Sequence, residues 1–346
     1  MKYFLDSCAL RYLLGYYKVE AVKEEFKFNL DKFKKDILCG EIVTDAMVVF
    51  EILNNCQNVK QFFKDIKNYD SSIYMKFYKN KSDLKYFFQK ARDKDEYRRF
   101  FYKIASLSLK NYVIQLSKAI FYLFSYFIGI IELNNGFRQD KNEYIIFSRK
   151  VSDILIHARR HVEKVLYAKF FSLVRKNSFN EKNAQAEFTF VINKVGYYMN
   201  MLPTKNIDMD SFYKLLNDIK DRIIAEKFET TYNGNFENLN KLQKKLPKQK
   251  INVNKIVNIY VINDGEVLSH FLNITLNKMF VRKSKNFKLN DIKDSLIAEN
   301  YLSYINEKND QVTIFVTFDT NFKLELSKIN NSYIQKSMNY VNSLYK

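Results

Sequence analysis

Glycine and proline are scarce in this chain, which has only seven glycines and two prolines among 346 residues. Because these two residues are the strongest breakers of regular structure, their scarcity predicts long, uninterrupted helices. It also excludes the glycine-rich loops that bind phosphate, since neither a G-x-G-x-x-G nor a G-x-x-x-x-G-K-[ST] pattern occurs. Hydrophobic residues make up 47% of the sequence, enough for a sizeable core.

Cysteine usage and the apolar runs predict a cytoplasmic protein without a membrane span. Cys8, Cys39 and Cys56 are odd in number and lack the spacing of a metal site, which suits a reducing compartment. Two charged residues interrupt the first apolar stretch, which argues against a signal peptide. The longest uncharged run, 119–131, has thirteen residues, too few to cross a bilayer, and predicts a buried helix.

The excess of positive charge belongs to the middle of the chain. The formal net charge is +19 overall. Residues 1–59 carry 8 Lys and Arg against 9 Asp and Glu, and residues 251–346 carry 12 against 9. Residues 60–250 therefore hold 37 basic and 20 acidic residues. Such a concentration predicts contact with the phosphates of a nucleic acid, the alternative being a lysine-rich bias in composition.

The order of predicted elements indicates one α/β domain interrupted by a helical insertion. Strands are expected at "KYFLD", "EIVT" and "VTIFVTF", with helices between them, which is typical of a parallel sheet. The segment between them is rich in long aromatic helices and ends in a polar linker, 230–254. We therefore expect an α/β domain formed by 1–59 with 251–346, and a basic all-α insertion at 60–250.

Acidic residues are predicted to meet at one edge of the sheet. Asp6 ends the first strand and Asp319 ends the last, where parallel sheets gather ligands and chemistry. Glu51 lies on the helix after the second strand, and Asp291 and Asp294 are three residues apart at a helix start, on a shared face. Such a cluster would repel itself unless a divalent cation held it.

Four segments carry a resemblance to a known family. "FLDSCAL", "IVTDAMVVFEIL", "DSLIAENYL" and "FVTFDTNF" resemble, in order, the four motifs of PIN-domain nucleases. The resemblance implies a PIN-like three-layer α/β/α domain with a central parallel sheet, interrupted here by the large all-α insertion. In the family the connection that holds this insertion is short, which leaves the substrate open.

The resemblance also implies a reaction and its residues. It implies hydrolysis of RNA, or of DNA flaps in some relatives, with Mg²⁺ or Mn²⁺. The implied catalytic and metal-binding residues are Asp6, Glu51, Asp294 and Asp319. Asp6, Asp294 and Asp319 would bind the metal directly, whereas Glu51 would bind it through water or bind a second ion. Asp291 is a further candidate ligand, or else an acid favoured by the helix dipole. Ser7 and Thr317 are expected to support these ligands by hydrogen bonding.

Basic clusters in the insertion are candidates for binding single-stranded RNA. They are Arg98, Arg99 and Lys103 beside Tyr97, and Arg159 and Arg160. His157 and His161 share a helix face with the second cluster, but no third metal ligand or H-E-x-x-H pattern accompanies them. We therefore interpret that helix as an RNA-facing surface rather than a catalytic one.

Two other functions compete with an endoribonuclease that could act as a toxin or defence effector. One is a catalytically silent PIN-fold scaffold that binds nucleic acid; intact acids at all four motifs argue against it. The other uses the basic insertion to dock an acidic protein, such as an inhibitor. A homo-oligomer is compatible with each of these hypotheses.

Overall fold

The computed structural model describes the two ends of the chain and most of its middle. The described residues are 1–13, 30–45, 47–48, 51, 73–75, 94–176, 178–179, 181–229, 265–276, 289–309 and 312–345. The predicted linker 230–254 and the strand or docking segment considered for 255–264 lie outside them.

Four short strands form one parallel sheet. They are β1 (Lys2–Leu5), β2 (Glu41–Thr44), β3 (Ile73–Met75) and β4 (Thr313–Val316). The strand order is β3-β2-β1-β4, and Lys2 lies opposite both Glu41 and Thr313. The strands expected at "KYFLD", "EIVT" and "VTIFVTF" are thus confirmed. Because all are parallel, their carboxyl ends share one edge.

Helices make up the rest of the regular structure in the described ranges. They are α1 (Ser7–Leu13), α2 (Leu30–Leu38), α3 (Lys94–Asn135), α4 (Lys141–Arg175), α5 (Glu181–Met199), α6 (Met209–Ala225), α7 (Glu266–Leu276), α8 (Leu289–Lys308), α9 (Thr320–Leu326) and α10 (Ser332–Ser343). Residues 47, 48 and 51 are helical as well. The 42 residues of α3 and the 35 of α4 confirm the long helices that the scarcity of glycine and proline predicted.

The prediction of a PIN-like three-layer α/β/α domain with a central sheet is wrong. The described residues are mainly helical, and only fifteen of them lie in strands. After β4 the chain forms α9 and α10 rather than a further strand. The physical reason is that strands of three or four residues end at capping residues. The longer apolar runs keep helical periodicity, and almost no glycine or proline interrupts them.

The described residues group into two compact units. One unit comprises Met1–Tyr112 with Lys293–Lys346, and the other comprises Val113–Ile292. The corresponding boundaries expected from the sequence are 59/60 and 250/251.

Aromatic side chains pack α8 onto the sheet of the first unit. Tyr301 of α8 is fully buried, with its ring 5.7 Å from that of Phe4 and 5.4 Å from that of Phe315. Its hydroxyl donates to the carbonyl oxygen of Thr313 at 3.1 Å. The hydroxyl of Ser337 accepts from the Phe315 backbone N–H at 3.0 Å, which joins α10 to the same strand. These contacts fix α8 against β1 and β4.

Helices α4, α5 and α6 pack on one another in the second unit. The rings of Phe137, Phe147 and Phe212 form one aromatic cluster, with centroids 5.5 to 6.0 Å apart. Asp140 caps α4 by accepting from the Asn142 and Glu143 backbone N–H groups. Asp208 caps α6 by accepting from the Ser211 backbone N–H.

The apolar part of α3 is long enough to cross a membrane by length and composition. This stretch is Leu109–Asn135, longer than the thirteen uncharged residues seen in the sequence, and 83% of its most apolar window is buried inside the protein. The core helix of a soluble protein shows the same burial. The run 119–131 is buried, as predicted.

Candidate active site

Each aspartate that follows a strand at this sheet edge caps the helix after it. Asp6 Oδ1 accepts from the Ala9 backbone N–H at 2.7 Å, and Asp319 Oδ1 accepts from the Phe322 N–H at 2.9 Å. Asp45, after β2, accepts from the Met47 backbone N–H at 2.6 Å in the same way. Capping uses only one oxygen of each carboxylate, so it is compatible with a second role for the other oxygen.

Thr317 links the carboxylates that follow β1 and β4. Its hydroxyl donates to Asp6 Oδ2 at 2.5 Å, and its oxygen accepts from the Asp319 backbone N–H at 3.2 Å. Thr317 is fully buried, and Asp6 is 5% exposed. The β1–β4 pairing continues through Asp6, whose N–H donates to the Val316 carbonyl at 3.1 Å. The ends of the two strands are therefore held in one geometry.

Glu51 reaches the same edge from the helix after β2 and pairs with a lysine. Lys293 Nζ lies 2.5 Å from Glu51 Oε1, and the two side chains are 9% and 11% exposed. Burial lowers the pKa of Lys293, but the Glu51 carboxylate opposes this shift and contributes to a net pKa above the ordinary value of lysine. The lysine therefore stays charged inside the site.

Asp294 is presented by the helix that packs on the sheet. It lies seven residues before Tyr301 in α8, so both are on the face that turns toward β1 and β4. Asp294 remains partly exposed, in contrast to Asp6. Its position thus depends on the aromatic packing of Tyr301 described above.

The four predicted carboxylates act on one another electrostatically. Burial raises the pKa of Asp6 to about 7, with further increases from Glu51 and Asp319, although hydrogen bonds from Ala9 and Thr317 oppose the shift. Burial also raises the pKa of Asp294 well above its usual range; Glu51, Asp6 and Asp319 add to this, and Lys293 opposes it. The structure therefore brings together Asp6, Glu51, Asp294 and Asp319, whose catalytic roles stay predictions.

The donor chemistry of this acid cluster (Asp6, Glu51, Asp294 and Asp319) suits a hard divalent cation. Carboxylate oxygens are the ligands that Mg²⁺ and Mn²⁺ prefer. Burial, with a smaller contribution from the neighbouring acids, raises the pKa of Asp6 and of Asp294. Among the described residues, however, no three His, Cys, Asp or Glu side chains already stand in a metal-holding arrangement. Rearrangement of these side chains would have to accompany metal binding.

Asp291 and Ser7 are the two other residues that the sequence predicts at this site. Asp291 lies in the first turn of α8 and is partly exposed. Ser7 is the first residue of α1, next to Asp6, and is 9% exposed. Roles for both stay predictions.

The predicted basic residues lie on two long helices. Arg98, Arg99 and Lys103 belong to α3, where the backbone is described and their side chains are not. On α4, Arg160 is exposed whereas Arg159 is half-buried, and burial lowers the pKa of the Arg159 guanidinium. Arg160 is therefore the better presented of the two.

An exposed face of α4 extends the predicted basic surface. Its exposed residues at helical spacing are Arg149, Asp153, His157, Arg160, Lys164 and Arg175. Successive residues advance by 100°, so this α4 face covers an arc of about 80° and a length of about 39 Å. It carries four permanent cations and one carboxylate, which is a charge pattern suited to a phosphate backbone.

The histidines of α4 do not form a metal site in the described part of the protein. His157 is exposed, whereas His161 is partly buried with its ring 6.0 Å from that of Phe228. Burial lowers the pKa of His161, so its neutral form is favoured.

Lys293 is the residue at this site that the sequence analysis missed. Its signal was present, because it immediately precedes Asp294 in "IKDSLIA". Lys293 was not predicted because only acidic residues were candidates for this site, and a lysine near the start of a helix is ordinarily a surface residue.

Comparisons with known proteins do not add a family to these observations. No family model matches the chain, and no curated protein or solved structure matches it.

Proposed function

We propose that this protein is a metal-dependent nuclease that hydrolyses phosphodiester bonds, with single-stranded RNA as its preferred substrate. The observation that carries the proposal is the meeting of Asp6, Glu51, Asp294 and Asp319 at the carboxyl edge of a parallel sheet. These residues come from four segments spread over more than three hundred positions. Asp6 is buried and the other three carboxylates are partly exposed, so their mutual repulsion costs stability, which supports a functional reason for gathering them.

Mg²⁺ or Mn²⁺ is the cofactor that this cluster suits. Asp6, Asp294 and Asp319 would hold the ion through carboxylate oxygens. When bound, such an ion supplies positive charge at the scissile phosphate and lowers the pKa of a coordinated water. These four segments are also the ones that resemble the motifs of PIN-domain nucleases, which supports the choice of reaction.

The chain's own residues orient the ligands. The Ala9 N–H and the Thr317 hydroxyl fix both oxygens of Asp6, and the Phe322 N–H fixes one oxygen of Asp319. Asp319 Oδ2 has no hydrogen bond to the residues that the structure describes. An orientation set by backbone groups and a buried hydroxyl changes little on binding, which is the kind of support that metal ligands ordinarily receive.

The α4 face is the proposed contact for the RNA backbone. Its cations attract phosphates without reading sequence, so they would supply affinity rather than specificity. Whether single-stranded RNA is preferred over DNA is decided by cleavage and by competition between the two substrates.

The test is cleavage of labelled single-stranded RNA and DNA by the full chain with Mn²⁺, Mg²⁺ or EDTA. We expect RNA cleavage with either metal and none with EDTA. Asp294→Asn should lose cleavage, while Glu307→Gln, which removes an exposed acid from the same helix, should keep it. RNA cleavage that persists in EDTA, or in Asp294→Asn, would overturn the proposal.

A second candidate is a nucleic-acid-binding scaffold without catalysis. It is favoured by one observation, the absence of a ready metal-holding arrangement among the described residues. Salt-sensitive RNA binding by the full chain, without cleavage in any metal, would support it. Binding of an acidic protein but not of RNA would instead support the docking hypothesis.

A further inference from the structure

Two half-buried cations lie close together on α3 and α4 in the second unit. Lys118 belongs to α3 and Arg159 to α4, and the side chain of each is only partly exposed. Burial, and then the charge of Arg159, lower the pKa of Lys118, so the two cations are near enough to repel each other. Like charges that share a half-buried place are stabilised by a bound negative charge.

The register of the two helices brings both side chains to the same level. Tyr144, near the start of α4, donates a hydrogen bond to Glu132, near the end of α3, at 2.8 Å. Lys118 precedes Glu132 by 14 residues, and Arg159 follows Tyr144 by 15. At about 1.5 Å per residue, each cation therefore lies about 21 to 22 Å along its helix from that contact.

The Nε–H group of Arg159 is a buried donor without an acceptor. Among the residues that the structure describes, no ion pair involves Arg159 or Lys118. A buried donor that stays unsatisfied destabilises a fold. In arginine, the Nε–H and the terminal N–H groups form a planar fork that matches two oxygens of a phosphate.

The acid beside these cations offsets their charge only in part. Glu163 follows Arg159 by one helical turn, and its charge favours the ionised forms of both Arg159 and Lys118. Burial is the larger effect, however, and the charge of Arg160 adds to it at Arg159, so the pKa of each half-buried cation stays below its ordinary value. The place is therefore positive on balance and suits an anion.

We propose that Lys118 and Arg159 form a binding site for a terminal phosphate group. The fork of Arg159 would bind two phosphate oxygens, and the ammonium of Lys118 would bind the third. A terminal phosphate carries more charge and more free oxygens than a phosphate within a nucleic-acid backbone, which matches half-buried cations better than exposed ones. The ligand is the 5′ phosphate of an RNA or a free phosphate. This site adds to the α4 face and does not depend on catalysis by the acid cluster.

The experiment compares two RNAs of one sequence, one with a phosphate and one with a hydroxyl at the 5′ end. Fluorescence anisotropy of a 3′ label measures their affinities for the full chain in EDTA, which prevents metal-dependent cleavage. Broadening of the phosphorus NMR signal of inorganic phosphate reports binding of the free anion.

Three variants test the two cations and the helix that carries one of them. Arg159→Lys keeps the charge and loses the planar fork, and Lys118→Met removes the other cation. Lys164→Ala is the matched control, because Lys164 is an exposed cation of the α4 face. Thermal unfolding verifies that each variant is folded, and the two site variants test the proposal independently of each other.

We expect the wild type to bind the phosphorylated RNA about tenfold more tightly than the hydroxyl RNA, because charge-assisted hydrogen bonds are gained. Arg159→Lys and Lys118→Met should each reduce this ratio to about threefold or less. Lys164→Ala should weaken both RNAs equally and keep the ratio. If the two RNAs bind equally, but inorganic phosphate is broadened by the wild type and not by Arg159→Lys, the ligand is a free phosphate.

Two results would overturn the inference. One is a preference for the phosphorylated RNA that Arg159→Lys or Lys118→Met leaves unchanged. The other is equal binding of the two RNAs together with an unbroadened phosphate signal. Failure of the nuclease proposal would look different, since a phosphate preference that depends on Arg159 is measured in EDTA and would stand even if no metal supported cleavage.

Discussion

The hydroxyl of Thr317 donates a hydrogen bond to Oδ2 of Asp6 at 2.5 Å, although 311 residues separate them in the sequence. This contact joins the first and last strands of the sheet at the point where both deliver a carboxylate. It also gives Thr317 a physical role, because the Asp6 carboxyl is almost fully buried and depends on donors from the protein.

Thr317→Val should therefore destabilise the protein. The substitution keeps the shape of the side chain and removes the donor, which leaves a buried carboxyl oxygen without its partner and costs about 1–3 kcal/mol. Denaturant unfolding would measure the loss. Thr317→Ser keeps the hydroxyl and is the matched control; an equal loss in both variants would show that the methyl group, and not the hydrogen bond, matters.

Asp294→Asn should have opposite effects on stability and activity. Burial and the neighbouring acids raise the pKa of Asp294 in the folded protein. Folding therefore disfavours the charged form of Asp294. The stability that its protonated carboxyl contributes is fully present below the unfolded-state pKa, and it is lost as the pH rises through the folded-state pKa. In EDTA at pH 8 the variant should melt at a higher temperature than the wild type, and at acid pH the gain should shrink.

Cleavage by the same variant should fall by at least about 100-fold, because even indirect partners of metal ligands are worth about 10–100-fold. Mn²⁺ should also stabilise it less than the wild type. Higher stability with full cleavage would show that Asp294 belongs to the cluster without serving the reaction.

The strands and their terminal acids could be predicted from the sequence because both are local features. An apolar run of three or four residues that ends in Asp gives a strand and a cap at once, as at Asp6 and Asp319. Their convergence followed from one further rule, that parallel strands place their carboxyl ends at one edge. This rule accounts for Asp6 and Asp319 but not for Glu51 and Asp294, which lie on helices.

The balance between sheet and helix could not be predicted in the same way. The expectation of a PIN-like three-layer domain with a central sheet depended on resemblance at four short segments. These segments cover only the residues around the acids. The residues after β4 have a mostly helical pattern in the sequence and do form α9 and α10, but the sequence does not show that α10 packs onto that strand through Ser337. Tertiary contacts of this kind leave no periodic signal in the sequence.

The burial and pairing of Lys293 could not be predicted from the sequence for a different reason. Its burial depends on Glu51, which is 242 residues away, and a pairing at that distance is a property of the fold. Sequence periodicity places a residue on a face of its helix but cannot tell which charge lies opposite.

Stability should decrease between acid and neutral pH because of Glu132 in the second unit. Its side chain is fully buried, and burial raises its pKa to about 7, against hydrogen bonds and charge from Tyr144 and Arg138. The folded protein therefore binds this proton more tightly than the unfolded chain. The stability that the protonated Glu132 carboxyl contributes is fully present below the unfolded-state pKa of about 4.5. Between that pKa and pH 7 it declines by up to about 1.4 kcal/mol per pH unit.

Glu132→Gln removes this titration, so the free energy of unfolding should fall less steeply over the same interval; the remaining slope comes from Asp6 and Asp294, whose pKa values are also raised. Tyr144→Phe is a useful comparison, since it removes the 2.8 Å hydrogen bond to Glu132 Oε2 and keeps the carboxyl group. The Tyr144→Phe protein should retain a pH dependence. A wild-type profile that Glu132→Gln leaves unchanged would assign the dependence to other groups.

Removal of cations from the α4 face should weaken RNA binding uniformly across sequences. Arg160→Ala combined with Lys164→Ala removes two exposed charges one helical turn apart. Removing one cation that touches a phosphate should reduce the slope of log K against log salt by about 0.7 for a single strand, so the pair should reduce it by about 1.4. Fluorescence anisotropy with labelled RNA in EDTA measures binding without cleavage.

The control for that measurement is Lys214→Ala on α6, an exposed lysine on a helix whose exposed residues include Asp210, Asp218 and Asp221. Its removal should leave the salt slope unchanged, because neighbouring carboxylates repel phosphate. If Lys214→Ala and the variant with Arg160→Ala and Lys164→Ala reduced the salt slope equally, RNA binding would depend on net charge alone. A change confined to Arg160 and Lys164 would place the backbone of the RNA along α4, where cations recur at helical spacing over about 39 Å.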